Sequence, residues 1–167
     1  VTLSDPSPGA GILLAEATGT ILNDDPGPVD PPEGVIRGTP RADALTAGAG
    51  VNMLPGGGGD TLVIGRAANA GETTFYDARP GDTVQLAAGL TVLASVVTPA
   101  AVALDLGAGG RVQVLNPGDA LFEPGGNVTT AAAGPLLGYA DFAAGVLGAP
   151  LPDQGLATGG RVVIPEA

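Results

Sequence analysis

The strongest constraint on this chain is a short period between Gly38 and Val63. The units GTPRADALT (38–46), AGAGVNMLP (47–55) and GGGGDTLV (56–63) each place an oxygen-bearing side chain two positions before a leucine. Asp43, Asn52 and Asp60 form one column, Leu45, Leu54 and Leu62 another, and the positions ahead of them are rich in glycine. Glycine permits tight turns, and the leucines face a shared interior when successive units stack. The arrangement predicts strand and turn in each unit, repeated along an axis.

Composition narrows the chemistry. The 167 residues include no His, Cys, Trp or Lys, so neither a Ser-His-Asp nor a Cys-His pair can form, and no thiolate is present for zinc or an iron–sulfur cluster. A Gly-rich phosphate loop at Gly56–Gly59 is excluded too, because that loop requires a Gly-Lys-Ser/Thr end. A glycosidase pair such as Asp105 and Asp119 lacks an aromatic wall to hold a sugar. The chain reads as non-enzymatic. Its net charge of −11 disfavours nucleic acid and anionic membranes and favours a cation. No apolar run is long enough for a membrane span.

The repeats resemble the nonapeptide G-G-x-G-x-D-x-U-x of RTX (hemolysin-type calcium-binding) proteins, which forms a parallel β-roll with Ca²⁺ between successive turns. Arg41 and Ala47 stand where the pattern has glycine, and Val51-Asn52 stands where an acidic pair is common. The resemblance implies Ca²⁺ as the cofactor, held near Asp43, Asn52 and Asp60 with turn carbonyls from Gly48, Gly50 and Gly57. The competing reading is a degenerate roll that keeps the shape without the ion.

Upstream, Gly19-Thr20-Ile21-Leu22-Asn23-Asp24-Asp25 resembles the last strand of a Calx-beta domain. Asn23, Asp24 and Asp25 are either Ca²⁺ ligands or solvated turn formers. Residues 26–34 are a Pro-rich linker.

Downstream, Glu72–Leu86 resembles the strand and turn that cap RTX arrays, with Pro80-Gly81 suited to a type II turn and Phe75 and Tyr76 to packing. Asp77 and Asp82 read as turn and edge residues. The runs Val102/Leu104/Leu106 and Val112/Val114 predict a hairpin. A three-residue loop pairing Gly107 with Arg111 sets Leu106 opposite Val112 and Leu104 opposite Val114, with Gly110 left-handed. The Ala-rich 140–148 region predicts a short helix, and Arg161–Ile164 one more strand.

The expected organisation is therefore all-β: terminal Calx-beta-like strands at 1–25, the linker, a short right-handed parallel β-roll (a solenoid) continuing into an antiparallel capping sheet at 35–130, and an Ala/Gly-rich tail at 131–167. The resemblance implies a secreted or cell-surface bacterial protein, a tail that is a candidate export signal, and type I (ABC) secretion machinery as partner. In that reading Ca²⁺ drives folding outside the cell. The alternative is a structural or adhesive subunit of a surface layer, matrix or filament that self-associates or binds a surface partner, with a calcium-independent roll.

Overall fold

The computed structural model describes residues 34–48, 52–66, 71–107, 109–126 and 134–166. The Calx-beta-like strands, nearly all of the linker, and Asn23, Asp24, Asp25 and Gly50 lie outside them.

The described chain is mostly β. It starts with β1 (Val35–Arg37), β2 (Ala44–Thr46), β3 (Asn52–Leu54), β4 (Thr61–Ile64), β5 (Gly71–Phe75) and β6 (Thr83–Ala87). It continues with β7 (Thr91–Val97), β8 (Ala101–Leu106), β9 (Gly110–Leu115) and β10 (Leu121–Gly126), then α1 (Tyr139–Gly145), β11 (Ala157–Gly159) and β12 (Val162–Val163). Strands β1, β3, β5 and β9 are parallel neighbours in the larger sheet, and β2, β4, β6 and β10 are parallel neighbours in the smaller one. From β1 to β6 the path therefore alternates between sheets, one strand at a time.

Register follows burial. Leu45, Leu62, Val84 and Phe122 stand opposite one another across the smaller sheet, and Met53, Phe75, Val114 and Val102 across the larger. All eight side chains belong to one hydrophobic cluster fed by both sheets. The turns between sheets stack as closely as the strands do. A Cβ on Gly59, whose φ is +77°, would lie 3.0 Å from the Gly81 carbonyl oxygen, so the position demands glycine for both its dihedral and its neighbour.

Between β6 and β9 the chain makes an antiparallel hairpin, β7–β8, and β11 and β12 pair antiparallel with β7. The β8–β9 hairpin sets Leu104 opposite Val112 and Val102 opposite Val114, two residues from the expected register. Burial selects one face and so cannot distinguish registers of equal parity. The turn decides, with Gly109 rather than Gly110 left-handed (φ +90°), and the observed register brings Arg111 to 3.5 Å from Asp105. At Pro80-Gly81 the expected turn is present: Gly81 has φ +99° and the Asp82 N–H donates to the Arg79 carbonyl at 3.0 Å.

The C-terminal segment is packed into the body. Helix α1 buries Tyr139, Phe142 and Ala143, with the Phe142 ring stacked on Phe122 at 4.4 Å between centroids. The Tyr139 hydroxyl donates to the Thr98 carbonyl at 2.8 Å, tying α1 to the β7–β8 turn, and burial pushes its pKa up to about 12. Strand β12 extends this contact: the Ile164 carbonyl accepts from Gly89 N–H and the Ile164 N–H donates to the Leu90 carbonyl, both at 2.8 Å.

Leu62→Ala is expected to cost about 2–5 kcal/mol in urea unfolding, because its side chain is fully buried between facing apolar columns. Leu121→Ala, at a residue 40% exposed in the same sheet, is expected to cost about 1 kcal/mol or less.

The aspartate column as candidate functional site

Each strand of the smaller sheet is entered from a turn, and the residue just before β2, β4 and β6 is an aspartate: Asp43, Asp60 and Asp82. Register places the three side by side, because Ala44, Thr61 and Thr83, the next residues, are mutual neighbours. The column binds itself together. The Asp43 N–H donates to Oδ1 of Asp60 at 2.9 Å, and the Asp60 N–H donates to Oδ1 of Asp82 at 2.8 Å. Their carbonyls accept the next rung, from Thr61 N–H to Asp43 and from Thr83 N–H to Asp60, both at 2.8 Å. Each rung thus receives a side-chain and a main-chain hydrogen bond.

The ends of the column are closed locally. Oδ2 of Asp43 accepts the Thr39 N–H at 2.5 Å and the Thr39 hydroxyl at 2.9 Å, while Oδ2 of Asp82 accepts the Arg79 N–H at 2.9 Å. Arg79 also stitches the turns together: its Nη1 donates to the Gly56 carbonyl at 2.7 Å, and its Nε and Nη2 donate to Oδ2 of Asp77 at 2.9 and 2.5 Å. The ion pair holds the Asp77 carboxyl below the usual carboxylate range.

Asp60 differs from its neighbours. It is 1% exposed, and its Oδ2 is buried with no hydrogen-bond partner among the described residues. Burial raises its pKa, the Asp43 N–H works against that rise, and the carboxylates of Asp82 and Asp43 add to it.

Of Asp43, Asn52 and Asp60, the structure brings two together and places the third elsewhere. Asp43 and Asp60 are adjacent rungs, but Asn52 is the exposed first residue of β3 in the other sheet, opposite Val35 and Thr74. The cause is the alternating path: successive units visit opposite sheets, so column neighbours are two units apart. Strand β3 begins at Asn52 itself, whereas β2 and β4 begin one residue after their aspartates, so the inward side chain of the middle unit is Met53, fully buried, and Leu54 is half-buried. The true third rung is Asp82. Its signal is present in the repetition of Asp60-Thr61-Leu62 as Asp82-Thr83-Val84, at a spacing lengthened by extra residues. The Gly48 carbonyl accepts the Thr73 hydroxyl, and the Gly57 N–H donates to the Thr39 carbonyl at 3.1 Å.

Among the described residues no group of three or more Asp, Glu, His or Cys side chains converges as metal ligands do. Asp105 faces Arg111 and Asp119 lies in the 3-10 turn Pro117–Asp119, so these carboxylates sit on different elements. Among the described residues no helix is long and apolar enough to cross a membrane. No family model, curated protein or solved structure matches the chain.

Asp82→Ala would strand two amide donors, those of Asp60 and Arg79, at about 1–3 kcal/mol each when buried, and urea unfolding is expected to register that loss. A second expectation concerns pH. Above the ordinary value of 3.8 and up to the raised native pKa, the folded state binds more protons at Asp60 than the unfolded state does. Stability contributed by Asp60 therefore grows as pH falls through that window and is lost as pH rises. Measured in EDTA, wild type should gain stability relative to Asp60→Asn as pH falls from 7 towards 4.

Proposed function

We propose that this chain is a non-enzymatic structural module of a secreted or surface bacterial protein, built as a short parallel β-roll whose folding does not wait for calcium. The alternation of parallel strands between two sheets supports the roll, and the antiparallel β7–β8 hairpin with β11 and β12 supports a cap at its C-terminal end. The observation that carries calcium independence is the aspartate column. Its Oδ1 atoms accept backbone N–H groups from neighbouring rungs, so these aspartates do within the chain what an ion would otherwise do between turns. The guanidinium of Arg79 on the Gly56 carbonyl supplies a protein cation at the same turns. The RTX-like repeats and the acidic charge support an exported setting, with the type I machinery as the carrier. A signal in the tail would be read before the tail packs against Phe122 and Thr98.

One observation favours the second reading, in which Ca²⁺ binds and drives folding after export. Among the described residues Oδ2 of Asp60 is buried without a partner, and a cation beside it would satisfy that oxygen and offset the repulsion from Asp43 and Asp82. The two readings separate in far-UV circular dichroism of the EDTA-treated protein titrated with Ca²⁺, with Mg²⁺ as control. The proposal predicts full β signal in EDTA and no response to either ion. A Ca²⁺-selective gain of β signal that Asp60→Ala abolishes would reject it in favour of the calcium-driven module.

A further inference from the structure

Six arginines stand against 17 acids in this chain, yet two of the six line one cleft whose wall has no acidic residue among the described residues. Arg66, just beyond β4, and Arg161, just before β12, border a space of about 310 Å³ together with Gly89, Thr91, Leu93 and Gly107. Arg79 and Arg111 have carboxylate partners, whereas among the described residues Arg66 and Arg161 have none. We propose that this cleft is an oxyanion site, taking a phosphate, sulfate or carboxylate group.

The cleft holds its arginines in place. The Arg66 Nε donates to the Ala88 carbonyl at 2.5 Å, which fixes the guanidinium and leaves its Nη groups for a ligand. Gly89 is left-handed (φ +73°), and a Cβ there would come within 2.8 Å of Arg66 Nη2, so glycine gives the guanidinium its seat. Arg161 is held by the pairing of the next residues, Val162 opposite Val92 and Val163 opposite Thr91, which anchors it to the strand that carries Thr91 and Leu93. Two arginines lining one cleft concentrate positive charge there, and a guanidinium fork matches two oxygens of a carboxylate, sulfate or phosphate. Thr91 lies on the same wall, and Leu93, 47% exposed, gives the rim an apolar edge. The site is independent of the aspartate column and of any calcium dependence.

Amide NMR on the full chain tests the site, with inorganic phosphate, sulfate and glucuronate as probes and sodium chloride at matched ionic strength as control. The expected result is saturable shifts at Gly89, Thr91, Gly107 and Arg161, with Arg66→Gln/Arg161→Gln weakening the affinity at least about tenfold, as loss of charge-assisted hydrogen bonds predicts. Saturation by all three probes assigns the site to the oxyanion group itself, and saturation by glucuronate alone assigns it to a sugar carboxylate. If the double variant does not fold, Arg161→Gln serves, because the Arg161 side chain makes no hydrogen bond among the described residues, and weakened binding is again expected. Shifts that follow chloride equally, fail to saturate, or persist unchanged in the folded variant overturn the proposal.

Discussion

A chain that passes from one sheet to the other at each step from β1 to β6 must satisfy the main-chain N–H groups at each crossing, where ladder hydrogen bonds have ended. In the smaller sheet this requirement falls on the residue before β2, β4 and β6. Aspartate meets it with an acceptor that reaches the N–H of the adjacent rung, so Asp60 and Asp82 pin the turns above them while their own carbonyls continue the ladder. The leucine and valine column can stack only because these crossings stack, and the close Gly59–Gly81 approach follows from the same spacing. Register, core and turn geometry thus depend on one column.

The column has a cost, carried by Asp60. Three carboxylates at adjacent rungs repel, and the middle one is the most enclosed, so its charge is opposed by both burial and neighbours. Arg79 relieves part of this from outside the column, through charge on Asp60 and contact with Gly56. The smaller sheet is further closed at β10, where Leu137 exchanges backbone hydrogen bonds with Phe122 at 2.8 Å and Gln85 donates to the buried Glu123 at 3.0 Å. That edge is covered by the chain's own C-terminal segment, which limits strand addition from another molecule.

Much of this was legible in the sequence, for identifiable reasons. Asp43, Asp60 and their leucines declare themselves because a strand and a tight turn leave little room for variation in spacing. Asn52 was misplaced because a linear alignment treats every unit as equivalent, whereas the fold makes alternate units equivalent. Asp82 was hidden by the longer connection between β4 and β6, although the Asp-Thr-aliphatic triplet that marks the rung is intact. The hairpin face was predictable from alternation and its register was not, since a shift of two residues preserves the buried face and is decided by Gly109. The Arg66–Arg161 cleft had no sequence signal, because only the pairing of β12 with β7 brings those two residues to one cleft.

The central claim is that backbone donors, rather than a bound ion, hold the aspartate column. Amide hydrogen exchange in EDTA tests it at the atoms concerned. The Asp43 and Asp60 N–H groups are predicted to exchange as slowly as those of Leu62 and Val84 in the core strands, with protection unchanged by added Ca²⁺. Fast exchange at Asp43 and Asp60 in EDTA, slowed only when Ca²⁺ is supplied, would contradict it.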